Sequence, residues 1–220
     1  GEGELAENQL KPDIEGMSAL DKLVAKAEIY DVIMRYCRGV DRSDPELVKS
    51  VYHEDGYDDH GAMFQGPGWE FAKFFSAEDP PRGAGAVHFI GNHYVEFYRP
   101  DLAFSEAYYL TLSHTPVDDD TAGLFTFAGR YVDRFECRNG EWRVAHRICL
   151  HEWNNVQRFP TAPPNSVADF ASQFVNGQSG PDDVVYHKEW LMQTGVRPGA
   201  KPSDPPIFTG KSPIQQSPSD

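Results

Sequence analysis

The stretch Gly129-Arg130-Tyr131-Val132-Asp133-Arg134-Phe135-Glu136-Cys137-Arg138-Asn139-Gly140-Glu141-Trp142-Arg143-Val144-Ala145-His146-Arg147 decides the fold class. Its middle, Arg138-Asn139-Gly140, is hairpin chemistry, because Asn and Gly tolerate the positive φ angles of a tight turn between antiparallel strands. The flanks are rich in aromatic and β-branched residues and predict strands over 122–137 and 141–155. The same reading predicts strands near 86–98 and 103–114, with Asp118-Asp119-Asp120 turning the chain into the third of the four.

Ahead of these strands the apolar period is helical. Leu20, Leu23, Val24, Ala27, Val32, Ile33, Tyr36 and Val40 recur at steps of three and four, after a capping pair at Ser18 and Asp21. The helix breaks at Asp41-Arg42-Ser43-Asp44-Pro45, where Asp44 caps a short second helix starting at Pro45. Gly56 to Gly61 reads as a short strand or turn, and Pro67 to Phe75 as a third, aromatic helix. Helices followed by a run of long antiparallel strands make an α+β fold, with a curved antiparallel sheet wrapped around about three N-terminal helices as a cone with an internal cavity.

The chain divides into an arm over 1–17, the α+β domain over 18–156, and a C-terminal extension over 157–220. Beyond about Arg158 lie ten of the seventeen prolines, and this composition marks the change. Helical patterns at 165–174 and 182–190, with Phe170, Phe174, Tyr186 and Trp190, predict that the extension packs on its own domain or on a neighbouring subunit.

A net charge of −14 argues against nucleic acid or an anionic membrane as partner, since both favour basic surfaces. No apolar run approaches the roughly 18 residues of a membrane span, and the N-terminus shows no basic-then-apolar leader pattern. Cys37, Cys137 and Cys149 are odd in number and lack metal-ligand spacing, which points to free thiols in a reducing cytoplasm.

Two polar residues stand out in apolar surroundings. Asp41 ends the first helix, where the helix dipole disfavours a carboxylate, and His88 sits within the strand Ala86 to Phe97. Together they could move a proton without a cofactor; separately, Asp41 is a turn residue and His88 a satisfied histidine. By strand parity His93 falls on the opposite face from His88, whereas Arg143, Arg147 and His151 share one side of the last strand. Asp58 and His60 share a face beside Asp59 and are a weak metal pair; no metal and no cofactor is expected.

The helix ending Arg35-Tyr36…Asp41, the segment Tyr52-His53-Glu54-Asp55-Gly56, Gly66-Pro67, Val87-His88-Phe89-Ile90-Gly91-Asn92 and the hairpin quoted above occur in an order that resembles the SnoaL-like branch of the nuclear-transport-factor-2-like superfamily, over roughly 18–156. The resemblance implies the same α+β cone. Members such as scytalone dehydratase, hexachlorocyclohexane dehydrochlorinase and bile-acid 7α-dehydratase use an Asp–His dyad, at positions that Asp41 and His88 match. An Arg on the last strand matches Arg147, and the Tyr five residues before the Asp of the bile-acid enzyme matches Tyr36. The dehydrochlorinase has Lys there, and the second catalytic His of scytalone dehydratase has no counterpart over 105–111.

Parity and the family cavity add Tyr109, Tyr131 and His151 as substrate contacts. The implied activity is a cofactor-independent lyase eliminating water or formaldehyde from an apolar, ring-containing molecule, as a dehydratase or a lyase of lignin-derived diaryl compounds. A non-catalytic binding or assembly module and an isomerase are the alternatives. A homo-oligomer, dimer or trimer, is the expected assembly.

Overall fold

A computed structural model describes residues 11–76, 85–160 and 175–192 of the 220-residue chain. Helix α1 spans Ala19–Asp41, α2 Pro45–Lys49 and α3 Gly68–Ala72, the last continued by a 3-10 turn over Lys73–Phe75. The strands are β1 (Tyr52–Asp59), β2 (Gln65–Pro67), β3 (Ala86–Arg99), β4 (Leu102–Pro116), β5 (Thr121–Arg138) and β6 (Glu141–Pro160). A 3-10 turn at Val184–Tyr186 and α4 (Lys188–Leu191) follow, overlapping the predicted helical pattern at 182–190. The pattern at 165–174 lies outside the described residues.

Local chemistry explains the boundaries. Ser18 and Asp21 close a full capping box at the start of α1, and the Asp44 side chain accepts the Leu47 amide at the start of α2. Asn139 and Gly140, at φ 54° and 80°, form the two-residue turn between β5 and β6. The six strands order as β2-β1-β6-β5-β4-β3, so β3 to β6 form an antiparallel meander while β1 runs parallel to β6. This α+β architecture, three helices packed against a curved, largely antiparallel sheet, is the one the sequence predicts.

The sheet curls because its long strands are bulged. Extra residues fall between Ile90 and His93 on β3, opposite Ala128/Gly129 on β6, and opposite Arg134/Phe135, where Ala145 has no partner. A bulge bends its strand and reverses the inside–outside alternation beyond it. The curl closes over Ile29, Val32, Ile33, Tyr36 and Val40 of α1, which pack with Val51, Tyr52, Phe71, Val95, Phe97, Tyr131, Phe135 and Val144. The first turns of α1 lie beyond this contact, so Leu20, Leu23 and Val24 are exposed although they continue the apolar pattern.

The described residues of both flanking segments contact the domain. The Asp13 amide donates to Tyr98 O on β3 at 2.7 Å. Residues 175–192 fasten to the turn after α1, where Arg42 Nη1 donates to Gln178 O at 2.8 Å and to Asp183 Oδ2 at 2.9 Å. Tyr186 donates to Asp44 Oδ2 at 2.8 Å, and the Arg38 guanidinium lies 5.2 Å from the centre of its ring.

Candidate active site

Asp41 is the last residue of α1, and Ser43 two positions on takes φ 51°, turning the chain sharply away. Both Asp41 oxygens are engaged by one residue of β3. Oδ1 lies 2.5 Å from His88 Nδ1, and Oδ2 accepts the His88 backbone N–H at 3.0 Å. Two points of attachment fix the imidazole plane and place a proton on Nδ1, leaving Nε2 as the basic nitrogen. Nε2 makes no hydrogen bond among the described residues, and the His88 side chain is 8 % exposed. The half-buried carboxylate at a helix C-terminus, unfavourable by dipole, is thus compensated by two hydrogen bonds across the fold.

Tyr36 lies one and a half turns back on α1 and is buried among four rings. Tyr131 is 5.3 Å away centre to centre, His88 6.3 Å, and His60 and Phe71 6.4 Å each. Its hydroxyl is 3.1 Å from His60 Nε2. His60 follows the end of β1, and its Nδ1 meets Asp58 Oδ1, while Asp58 Oδ2 accepts the Tyr52 hydroxyl at 2.5 Å. Gly68 allows this arrangement: a Cβ there would lie 2.3 Å from the Tyr52 ring. Burial pulls the His60 imidazole down, but hydrogen bonds to Asp58 and Cys149 outweigh it and lift the ring to about 9. Burial and then the Asp58 charge push the Tyr36 phenol well above its ordinary value, so it stays protonated.

Arg147, fully buried, donates from Nε and Nη2 to the two oxygens of Asp133 at 2.8 and 2.7 Å. Its guanidinium lies against both the Tyr36 and Tyr131 rings, 4.3 and 4.2 Å from their centres, and Nη1 has no hydrogen-bond partner. Burial alone would lower the guanidinium pKa; Asp133 overrides it and keeps the charge. Tyr109 stacks on Tyr131 at 4.6 Å and donates to Leu150 O at 3.2 Å. This close approach requires Gly129, where a Cβ would lie 2.5 Å from the Tyr109 hydroxyl.

Asp41, His88, Tyr36, Arg147, Tyr131 and Tyr109 therefore converge on the inner face of the sheet. His151 pairs with Gly129 but is exposed, and its Nε2 lies 3.1 Å from Asn154 Oδ1. Two parity expectations fail, for one reason. The β3 bulge returns His93 to the inner face, 3.0 Å from Ser105 Oγ. The bulge at Ala145 separates Arg143 from Arg147, and Arg143 instead pairs with Glu141 at 2.5 Å. Sequence reasoning also missed Asp133 as the partner of Arg147, and weighed Asp58 and His60 only as metal ligands. Their i, i+2 spacing was visible, but their attachment to Tyr36 was not. A separate groove of about 570 Å³ between α1 and the β5–β6 turn, lined by Glu28, Arg35, Arg38 and Trp142, contains none of these residues.

Fold and interior together define a class: a cone-shaped α+β domain with acid–base-capable Asp–His pairs inside it. Residues 21–148, more than half of the chain, match the family model of the SnoaL-like domain, and the protein belongs to that family. Among solved structures, a type 2 hexachlorocyclohexane dehydrochlorinase (LinA) is 22 % identical with a TM-score of 0.55, covering 67 % of this chain and 99 % of its own. The LinA-type3 enzyme of Novosphingobium barchaimii LL02 is also 22 % identical, at TM-score 0.54 over 66 % of this chain and 95 % of its own. A proposed scytalone dehydratase of Novosphingobium aromaticivorans is 18 % identical, at TM-score 0.53 over 63 % of this chain and 91 % of its own. Such identities show a shared fold. No curated protein matches the chain. Among the described residues no helix is long and apolar enough to cross a membrane.

Proposed function

We propose that the protein is a cofactor-independent lyase that removes water or formaldehyde from an apolar, ring-containing small molecule. The observation that carries this reading is the Asp41 clamp on His88, which leaves Nε2 bare beside an interior walled by tyrosines. His88 Nε2 takes a proton from carbon or from a hydroxyl of the substrate, and Asp41 stabilises the imidazolium. Loss of water then breaks a C–O bond; loss of formaldehyde breaks a C–C bond. Arg147 Nη1 and the Tyr36 hydroxyl are the donors available to the oxygen that gains charge, a role worth about 10²–10³-fold per donor in rate. Tyr109 and Tyr131 form the wall, with His151 at its rim.

In this reading the chain works as a homo-oligomer, a dimer or trimer, whose copies cover the outer sheet face carrying exposed Val87, Phe89 and Tyr94. Unpaired Cys37, Cys137 and Cys149 suit a reducing cytoplasm. The test is a panel of aromatic and terpenoid alcohols, followed by mass spectrometry for loss of 18 or 30 mass units (about one H₂O or one CH₂O). On the substrate so found, His88→Ala and Asp41→Asn should each lose about 10²–10⁴-fold in turnover. Folded variants with undiminished turnover overturn the assignment of the chemistry to His88 and Asp41, and a panel on which the wild type turns over nothing leaves a binding module.

A further inference from the structure

Asp58 and His60 lie outside the Asp41–His88 pair, yet they end on Tyr36, the residue that stands between the two histidines. Asp58 is a completely buried carboxylate that receives one hydroxyl, from Tyr52, and one imidazole N–H. A buried carboxylate calls for a cation, and the nearest permanent one, Arg147, is already paired in bidentate fashion with Asp133. His60 is the remaining candidate. As an imidazolium it has two N–H donors, one for Asp58 and one for the Tyr36 hydroxyl oxygen. Tyr36 is then an acceptor toward His60, and its own O–H proton finds no other acceptor among the described residues.

We propose that Asp58 and His60 form a proton relay that makes Tyr36 the acid of the reaction, opposite His88 as its base. The relay rests on the lyase reading above. In loss of water, as the leaving oxygen gains charge, the Tyr36 O–H bond breaks and an O–H bond forms on the leaving group. In the same step the His60 Nε2–H bond breaks and that proton restores the Tyr36 hydroxyl. His60 ends neutral, still donating from Nδ1 to Asp58, and His88 ends protonated; exchange of one proton with solvent at each ring resets the site. His60 is thus a positioning and recharging residue, while Tyr36 touches the leaving group.

The electrostatics of the cluster agree with this order. His60 is faced by Asp58 from β1, Tyr36 from α1, Phe71 from α3, Tyr131 from β5 and Cys149 from β6. Its ordinary value is 6.5, and here it is raised to about 9, so it holds its proton at neutral pH. Because burial disfavours a free tyrosinate at Tyr36, the phenol can release its proton only in concert with replacement from His60.

The first test needs neither variant nor substrate. In ¹⁵N NMR of the full-length protein, the His60 ring, assigned by its contacts to Phe71, should show both nitrogens protonated at neutral pH and should titrate near 9. A neutral ring with a bare Nε2 accepting from Tyr36 overturns the relay. The second test uses the alcohol identified by the panel. His60→Gln, which can still donate to Tyr36 but carries no transferable proton, should lower kcat by about 10²-fold or more with little change in KM, and should erase the alkaline limb of the kcat profile. Full kcat with that limb intact overturns the relay and leaves the lyase reading standing. Full turnover by Asp41→Asn overturns the Asp41–His88 base on which that reading rests.

Discussion

Asp41 and His88 are 47 residues apart in sequence and meet across the fold, whereas Asp58 and His60 are two residues apart at the end of one strand. The distant pair uses one ring nitrogen and leaves the other bare; the local pair has both ring nitrogens engaged. Asp58 is completely buried and tied to a second side chain, Tyr52, while Asp41 is 14 % exposed and tied to a single residue. The same two residue types therefore serve different ends. An imidazole with a bare nitrogen can exchange protons with a bound molecule, and one bonded at both ends can pass a proton only through its partner.

The largest test of this contrast is stability. Asp58→Asn leaves the His60 charge buried without its counter-ion, and urea unfolding should register a loss of about 3–5 kcal/mol. Asp41→Asn keeps one of its two acceptors, and should lose roughly 0.5–1.5 kcal/mol while abolishing most turnover. If the order of the two losses were reversed, the division of roles between the pairs would be wrong.

A smaller effect sharpens the comparison through pH. The folded His60 binds its proton more tightly than the unfolded one, with values of about 9 and 6.5. Its contribution to stability is therefore complete below 6.5 and lost as pH rises through 9. Over that window the stability of the wild type should fall with a slope of at most about 1.4 kcal/mol per pH unit, and His60→Gln should flatten it. A wild-type curve that rises across this window would place the proton elsewhere.

The smallest expected effect concerns the support behind Asp41. Arg42→Ala removes the partly exposed contact to Asp183 and should cost about 1 kcal/mol or less in stability. Amide exchange over 178–186 should accelerate, because the Gln178 carbonyl and the Asp183 carboxylate both accept from Arg42. Unchanged protection there would show that the Tyr186 contacts to Asp44 and Arg38 and the Gly180 N–H bond to Arg42 O suffice to hold residues 175–192.

The elements of this fold were legible because their signals are local. The Asn139-Gly140 turn, the capping box at Ser18 and Asp21, and the helical spacing from Ile29 to Val40 each lie within a few residues of one another. What escaped were the bulges. One extra residue on β3, at Gly91-Asn92 where the strand glycine was the signal passed over, reverses the face of His93, and Ala145 on β6 separates Arg143 from Arg147 with no residue type to announce it. The parallel pairing of β1 with β6 was equally hidden, since it joins strands far apart in the chain.

The sequence by itself determined the α+β architecture, the order of its helices and strands, and the presence of Asp41 and His88 at two element positions worth attention. Periodicity and turn chemistry act over a few bonds, and that range suffices for those conclusions. Tertiary structure alone decided that Asp41 grips His88 through both oxygens, that Arg147 answers to Asp133, and that His60 reaches Tyr36. Hydrogen bonds depend on direction and on distances of a few tenths of an ångström, and those are set only when strands bulge and helices pack.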